Sequence, residues 1–261
     1  RKVSKTAEGW RPEIWAQFAE LGLLAAPFSE EMGGLGGGAI ENMIIMEEFG
    51  RHLVVEPYVE TVVIAGGFLR DGGSAAQQEA HIPGIIGGET VWAFAYAEPQ
   101  GRYNLADLTT TAKKDGSGYT INGYKAVVLG APWAQKLIVT ARTSGGQRDR
   151  DGVSVFIVDK SAAGVSTRDY PTVDGRRASE ITFENVKVDA DALIGAEGKG
   201  LPLVEKITDQ AIAALSAEAT GCMKELNTAT VEYCKTRKQF GVPIGKFQVL
   251  QHRMVDMFMA Y

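Results

Sequence analysis

The chain has 261 residues, more than one hydrophobic core usually holds, and this predicts two or three domains. Its hydrophobic fraction of 45% and charged fraction of 23% are those of an ordinary soluble globular protein rather than a disordered or fibrous one. A net charge of −5, with both signs interspersed, does not attract a phosphate backbone and argues against nucleic-acid binding.

Residues 1 to about 90 read as helical. Pro12 suits a first helical turn, and Ile14, Phe18, Leu21 and Leu24 recur at helical spacing. A glycine-rich loop, 33–38, leads to a second helix over about 40–49, with Gly50 expected as its C-terminal cap. Short helices are predicted between Pro57 and Gly87. Near Thr90 the pattern becomes that of strands: 91–96, 119–121, 124–129, 137–141, 153–159 and 181–188. Asn122-Gly123 between the second and third of these predicts a tight hairpin. With no long helix between them, the strands are expected to form an antiparallel, barrel-like β domain. Helix returns near Leu203, where Ile207, Ala211, Leu215, Ala219, Cys222, Leu226, Ala229 and Tyr233 step by three or four. It is expected to end before Gly241, and a further helix begins near Phe247.

The predicted class is therefore α+β and multidomain: an N-terminal helical domain (1–90), a middle β domain (91–202) and a C-terminal helical bundle (203–261). The chain starts at Arg1 and stops inside an apolar helical pattern at Tyr261, so the bundle is expected to be truncated and the isolated chain poorly stable. No apolar run is long enough to span a bilayer, and no signal peptide is visible. Two cysteines and three histidines make no zinc spacing and no disulfide framework, which fits a reducing cytoplasm and no metal site.

Two motifs compete with simpler readings. The glycines at 33–38 follow a helix and lack the Lys-Ser/Thr of a phosphate-binding loop, so a turn between helices is the better account. The run Thr236-Arg237-Lys238-Gln239-Phe240-Gly241 could be a basic last helical turn that complements the helix dipole. It also offers a planar guanidinium for a pyrophosphate, with an amide and a ring beside it. The company of Pro243-Ile244-Gly245 and Phe247-Gln248 favours the second reading.

From Thr236 to Gln248 the chain resembles the acyl-CoA dehydrogenase family. Further matches are Glu31 to Gly34, Glu47 to Gly50, Glu98-Pro99, Ile121 to Lys125, Phe183 to Val188 and Glu197 to Gly200, in the family's order along nearly the whole chain. The resemblance implies an FAD-dependent oxidoreductase of fatty-acid metabolism, in which a carboxylate removes the α-proton of an acyl-CoA and the flavin takes the β-hydride. It implies an electron-transfer flavoprotein as electron acceptor and an oligomer in which the Arg-x-x-Phe-Gly segment reaches a neighbouring subunit's flavin. On this basis Tyr96, Ala97, Val127, Leu129, Arg237, Gln239, Phe240 and Gln248 are candidate flavin contacts. Tyr103, Asp209 and Ile212 are candidate substrate contacts. The catalytic residue stays unknown, the usual base being expected beyond Tyr261.

Departures from the family pattern sharpen the expectation. The hydroxyl residue before Glu-Pro is Ala97, the Trp-x-Thr behind the flavin is Val127-Val128-Leu129, and Tyr103 replaces the serine that meets the thioester. The neighbour-reaching half of the flavin site is kept while the ring-cradling half is altered. With Ala95 to Pro99 and Asp169 to Gly175, this resembles the small subunit of pimeloyl-CoA dehydrogenase-type two-chain enzymes, which predicts a sibling large subunit. The alternatives are a homo-oligomer, a catalytically silent partner subunit, and a flavin monooxygenase or oxidase on the same fold.

Overall fold

The structure is a computed structural model and describes residues 3–261. Packing groups the chain into two compact units, residues 1–39 with 55–211 and residues 40–54 with 212–261. The division at 90/91 and 202/203 remains a proposal drawn from the change of periodicity.

In the first unit, helix α1 (Pro12–Glu20) opens with its proline and buries Trp15, whose indole donates to the Gly88 carbonyl. Helix α2 (Ala39–His52) begins here and belongs otherwise to the second unit. A buried π-helix over Val59–Ala65 leads into α3 (Gly66–Gly72). Helix α4 (Ala75–Ile86) starts with a capping box in which Ser74 and Gln77 exchange hydrogen bonds.

The β layer contains β1 (Trp92–Ala95), β2 (Thr111–Asp115), β3 (Gly118–Leu129), β4 (Lys136–Arg142), β5 (Val153–Asp159), β6 (Val165–Pro171), β7 (Arg177–Val188) and β8 (Leu193–Ile194). They form one sheet in the order β6-β7-β3-β2-β4-β5-β8, with β1 also paired to β4. The barrel-like, wholly antiparallel expectation is corrected on both counts. The sheet is open, with β6 and β8 at its ends, and both β1 and β2 pair with β4 in parallel. The reason lies in the loop 96–110: the chain leaves β1 and returns in β2 running the same way along β4. Strand β4 and all of β5 but its last residue, Asp159, are almost wholly buried, which explains why most of their residues are apolar.

Asn122-Gly123 is not a hairpin turn. It lies inside β3, where the register against β7 shifts between Ile121 and Gly123. Asn122 accepts a hydrogen bond from the Asn185 backbone, and a Cβ on Gly123 would lie 2.4 Å from Thr110 Oγ1. The extra residue of this bulge is on β7, where Asn185 has φ +53°, and Gly123 opposite it lets the Thr110 segment approach. The turn is instead at Gly116-Ser117, closing the β2–β3 hairpin. Strands β2 and β6 were not expected, because both are polar and largely exposed and carry no apolar alternation.

The second unit contains α2, the part of α5 (Leu201–Thr236) beyond Ala211, a two-stranded ribbon of β9 (Lys238–Gln239) and β10 (Val242–Pro243), and α6 (Gln248–Ala260). Gly50 does not cap α2, which continues to His52. It sits where α2 crosses α5: a Cβ on Gly50 would lie 1.9 Å from the Glu218 carbonyl oxygen, and one on Gly221 would lie 1.9 Å from that of Glu47. Each helix thus uses a glycine to admit the other's backbone. Arg51 to Glu225 and Lys224 to Glu47 flank this crossing at 2.9 and 3.2 Å.

Candidate functional site

Four of the sequence-predicted contacts meet where the β1 end lies beside β3. Tyr96 and Ala97 follow β1, while Val127 and Leu129 occupy the second half of β3. The Ala126 amide donates to the Ala97 carbonyl at 2.8 Å and joins the two strips. Tyr96, Val127 and Leu129 all present apolar surface to solvent, and the Tyr96 ring stacks on Phe94 with centroids 4.9 Å apart. Val127 is 53% exposed and has φ +51°, a left-handed conformation that a β-branched residue rarely adopts. It falls in a second register shift of β3 against β7, between Lys125 and Val128, so the bulge turns its side chain outward.

Beneath these strips lies a group that the sequence-based site did not include. Lys125 and Glu98 form an ion pair at 2.9 Å with both side chains 0% exposed. Lys125 Nζ also donates to the Tyr96 carbonyl at 3.2 Å and to Thr140 Oγ1 at 3.1 Å. Glu98 accepts from Gln100 Nε2, from both the amide and hydroxyl of Thr109, and from the Thr110 amide. Burial raises the Glu98 carboxyl, but the Lys125 charge and the Thr109 hydrogen bonds outweigh it and bring it down to about 2. Burial lowers the Lys125 ammonium to about 8 against the opposing pull of Glu98. Both groups are therefore charged at neutral pH. The signal for this pair was present in β3: Lys125 shares strand parity with the buried Ile121, and a charge on an apolar face demands a counter-ion.

The loop 100–110 is held at its far side by Arg142, whose guanidinium donates to the carbonyls of Ala106, Gln147, Asp149 and Asp151. Asp107 accepts from Gln147 Nε2 and Arg148 Nε. Tyr103, at the tip, is 99% exposed, beside Arg102 with φ +48°. Asp209 and Ile212 are both exposed, three residues apart on α5.

The remaining candidates lie in the second unit. Helix α5 ends at Thr236, so Arg237 lies just past the last helical turn. Its carbonyl accepts from Ile244 at 2.8 Å, which ties the base of the β9–β10 ribbon. Phe240 and Gly241 have φ +51° and +79°, as a two-residue type I′ turn requires. Phe240 is 91% exposed at the tip, its ring edge-on to Phe247 at 6.1 Å. Arg237, Gln239 and Gln248 are exposed. This compact ribbon thus carries a cation, an amide and a ring on one short turn.

Comparison with known proteins gives a consistent picture. The N-terminal, middle and C-terminal domains of acyl-CoA dehydrogenase match residues 1–89, 93–186 and 198–260. A mitochondrial isovaleryl-CoA dehydrogenase of Arabidopsis thaliana is 32% identical over 252 residues, covering 95% of this chain and 61% of that protein. The probable acyl-CoA dehydrogenase YngJ of Bacillus subtilis is 31% identical over 262 residues, covering 98% and 69%. Among solved structures, the ChsE4–ChsE5 complex from Mycobacterium tuberculosis superposes with a TM-score of 0.88 at 26% identity, covering 99% of this chain and 67% of that one. The chain spans 61% of the length of the first of these relatives. Among the described residues, no helix is long and apolar enough to cross a membrane.

Proposed function

Because the chain belongs to the acyl-CoA dehydrogenase family, we propose that it serves the flavin-dependent α,β-dehydrogenation of an acyl-CoA thioester, as one subunit of a cytoplasmic hetero-oligomer of the pimeloyl-CoA dehydrogenase type. The observation that carries the finer reading is an asymmetry. The ribbon with Arg237, Gln239 and Phe240 is fully formed and exposed, while the strips carry Ala97 and Leu129 where the family resemblance expects hydroxyl side chains and Val127 where it expects an indole.

FAD fits these residues in part. The flavin, when bound, supplies the hydride acceptor. Toward it, Tyr96, Val127 and Leu129 provide an apolar wall that excludes water, and the backbone of residues 96 and 97 provides the polar contacts. Arg237 and Gln239 provide charge-assisted and amide hydrogen bonds suited to a pyrophosphate, and Phe240 a stacking surface. Tyr103, Asp209 and Ile212 are the residues assigned to contacts with an acyl thioester. Glu98 is not the base: it is buried, ionised and engaged by five donors, so no lone pair is left for a substrate proton. Electrons are then passed to an electron-transfer flavoprotein.

The second unit also leaves apolar side chains exposed that further bundle helices or a sibling subunit would cover. Leu215, Leu226, Tyr233, Val249, Val255, Phe258 and Met259 all face solvent in this chain. A sibling subunit covering them would remove a large apolar surface from water.

Flavin absorbance of the purified protein, alone and co-purified with its sibling chain, tests the proposal. Flavin is expected in the pair and not in the lone chain. Arg237→Ala is expected to weaken flavin retention by the pair about tenfold to a hundredfold, the scale of a lost charge-assisted hydrogen bond. One flavin per lone chain, unaffected by Arg237→Ala, would instead mean a homo-oligomer whose ring site tolerates Ala97, Val127 and Leu129.

A further inference from the structure

We propose that Lys125 is a positioning residue that, with Glu98, sets the spacing of the two strips forming the flavin wall. The inference rests on the flavin reading above for its functional consequence, but its geometric part stands on the buried pair alone.

Three observations carry it. First, Lys125 reaches both strips. Its backbone lies in β3, next to Ala126 and the outward-turned Val127, while its ammonium holds the Tyr96 carbonyl and the Glu98 carboxylate across the lane. Second, the backbone bond that joins those strips, Ala126 N to Ala97 O, is flanked by these contacts on both sides. Third, Glu98 transmits the clamp onward, since the same carboxylate gathers the Thr109 and Thr110 amides and so closes the neck of the loop that carries Tyr103.

The physical consequence follows from burial. A buried ammonium must keep its partners, because each lost contact leaves a desolvated charge uncompensated. The β1 end is short and its pairing with β4 stops at Ala95. Beyond Ala95 the positions of Tyr96 and Ala97 therefore depend on the ammonium rather than on a ladder. A methionine at 125 keeps an unbranched apolar stem as far as Cε, with sulfur in place of one methylene, and lacks the ammonium. It would leave the strips free to separate and leave the bulge at Val127 without its opposing tie.

The test compares Lys125→Met with Phe156→Leu, a variant in the buried core on β5 whose ring packs edge-on to Tyr119. Hydrogen exchange of the flavin-free chain is read at Ala126 and across the loop neck at Thr109 and Thr110. The amides of the β4–β5 ladder, Val139 and Val158 among them, are the internal reference. Lys125→Met is expected to speed exchange at Ala126, Thr109 and Thr110 roughly tenfold or more relative to that ladder. In the flavin-bearing assembly it is expected to weaken flavin affinity by a similar factor and to alter the bound-flavin absorbance bands. Phe156→Leu, at matched loss of melting temperature, is expected to leave flavin affinity unchanged. The proposal is overturned if exchange rises evenly over the whole sheet, or if Ala126 keeps its protection. It is also overturned if Phe156→Leu weakens flavin as much as Lys125→Met does. The exchange arm contains no flavin, so a failure of the flavin reading leaves a local loosening at Ala126 visible, whereas a failure of the clamp does not.

Discussion

Replacing Gly221 with alanine is expected to destabilise the helical unit by about 3 kcal/mol, the upper range for forcing extra volume into a closed contact. Local propensity predicts the opposite sign. Alanine stabilises a helix interior by about 1 kcal/mol over glycine, so an isolated α5 would gain from the change. The loss comes from the crossing with α2, where the added Cβ would stand 1.9 Å from the Glu47 carbonyl oxygen and 2.8 Å from its carbon. A backbone carbonyl inside a helix cannot rotate away without breaking the ladder, so the helices must separate. Separation would loosen the reciprocal seat of Gly50 on Glu218 and the flanking Arg51–Glu225 and Lys224–Glu47 pairs. Gly38→Ala is the control, because its Cβ meets nothing within 4 Å. Thermal melts followed by helical circular dichroism decide the matter. A Gly221→Ala protein that melts at or above the parent temperature would show that the helices do not cross this closely.

Glu98→Ala is expected to cost more, about 3–5 kcal/mol, because it strands Lys125 as a buried unpaired charge. It also leaves the Thr109 and Thr110 amides without their acceptor. The same carboxylate gives the parent protein an acid limb. Its folded pKa, about 2, lies below the ordinary carboxyl value of 4.5, so between these values the unfolded chain binds the proton more readily. The contribution is therefore complete above about pH 4.5 and is lost as pH falls toward 2. A shift of this size corresponds to about 3 kcal/mol. Denaturant midpoints measured from pH 2 to 6 are expected to rise steeply in the parent and much less in Glu98→Gln. Equal slopes in the two proteins would place the acid sensitivity elsewhere.

The segment types were readable from the amino-acid order. Strand β5 was expected at 153–159 and is found there, because a strand buried on both faces is written mostly in apolar residues, here interrupted only by Ser154 before Asp159. The long helix α5 announced itself through three- and four-residue steps over more than 25 positions. The cation, amide and ring of Arg237, Gln239 and Phe240 were marked by their residues in one short stretch, whereas the ribbon that carries them was not, because Phe240 is an unusual residue for a left-handed turn position. All of these are local properties, set by neighbours along the chain.

Other features depend on residues far apart in sequence. Asn122-Gly123 carries the strongest local signal for a hairpin, yet it runs on inside a continuous strand, held against Thr110 and opposite a bulge at Asn185. Gly50 has the position of a helix stop, yet its missing side chain is used for a helix crossing with partners about 170 positions away. Strand β6 is polar and exposed because it sits at a sheet edge, so no alternation could reveal it. Lys125 is the clearest case. Its strand parity says that a charge points inward, but nothing near it in the chain says which carboxylate answers. Glu98 lies 27 residues earlier, and only folding brings the two within 2.9 Å. Periodicity records how each segment meets solvent, which is a property of single residues in order. Which buried polar groups satisfy one another is a property of pairs, and pairs are made by the sheet.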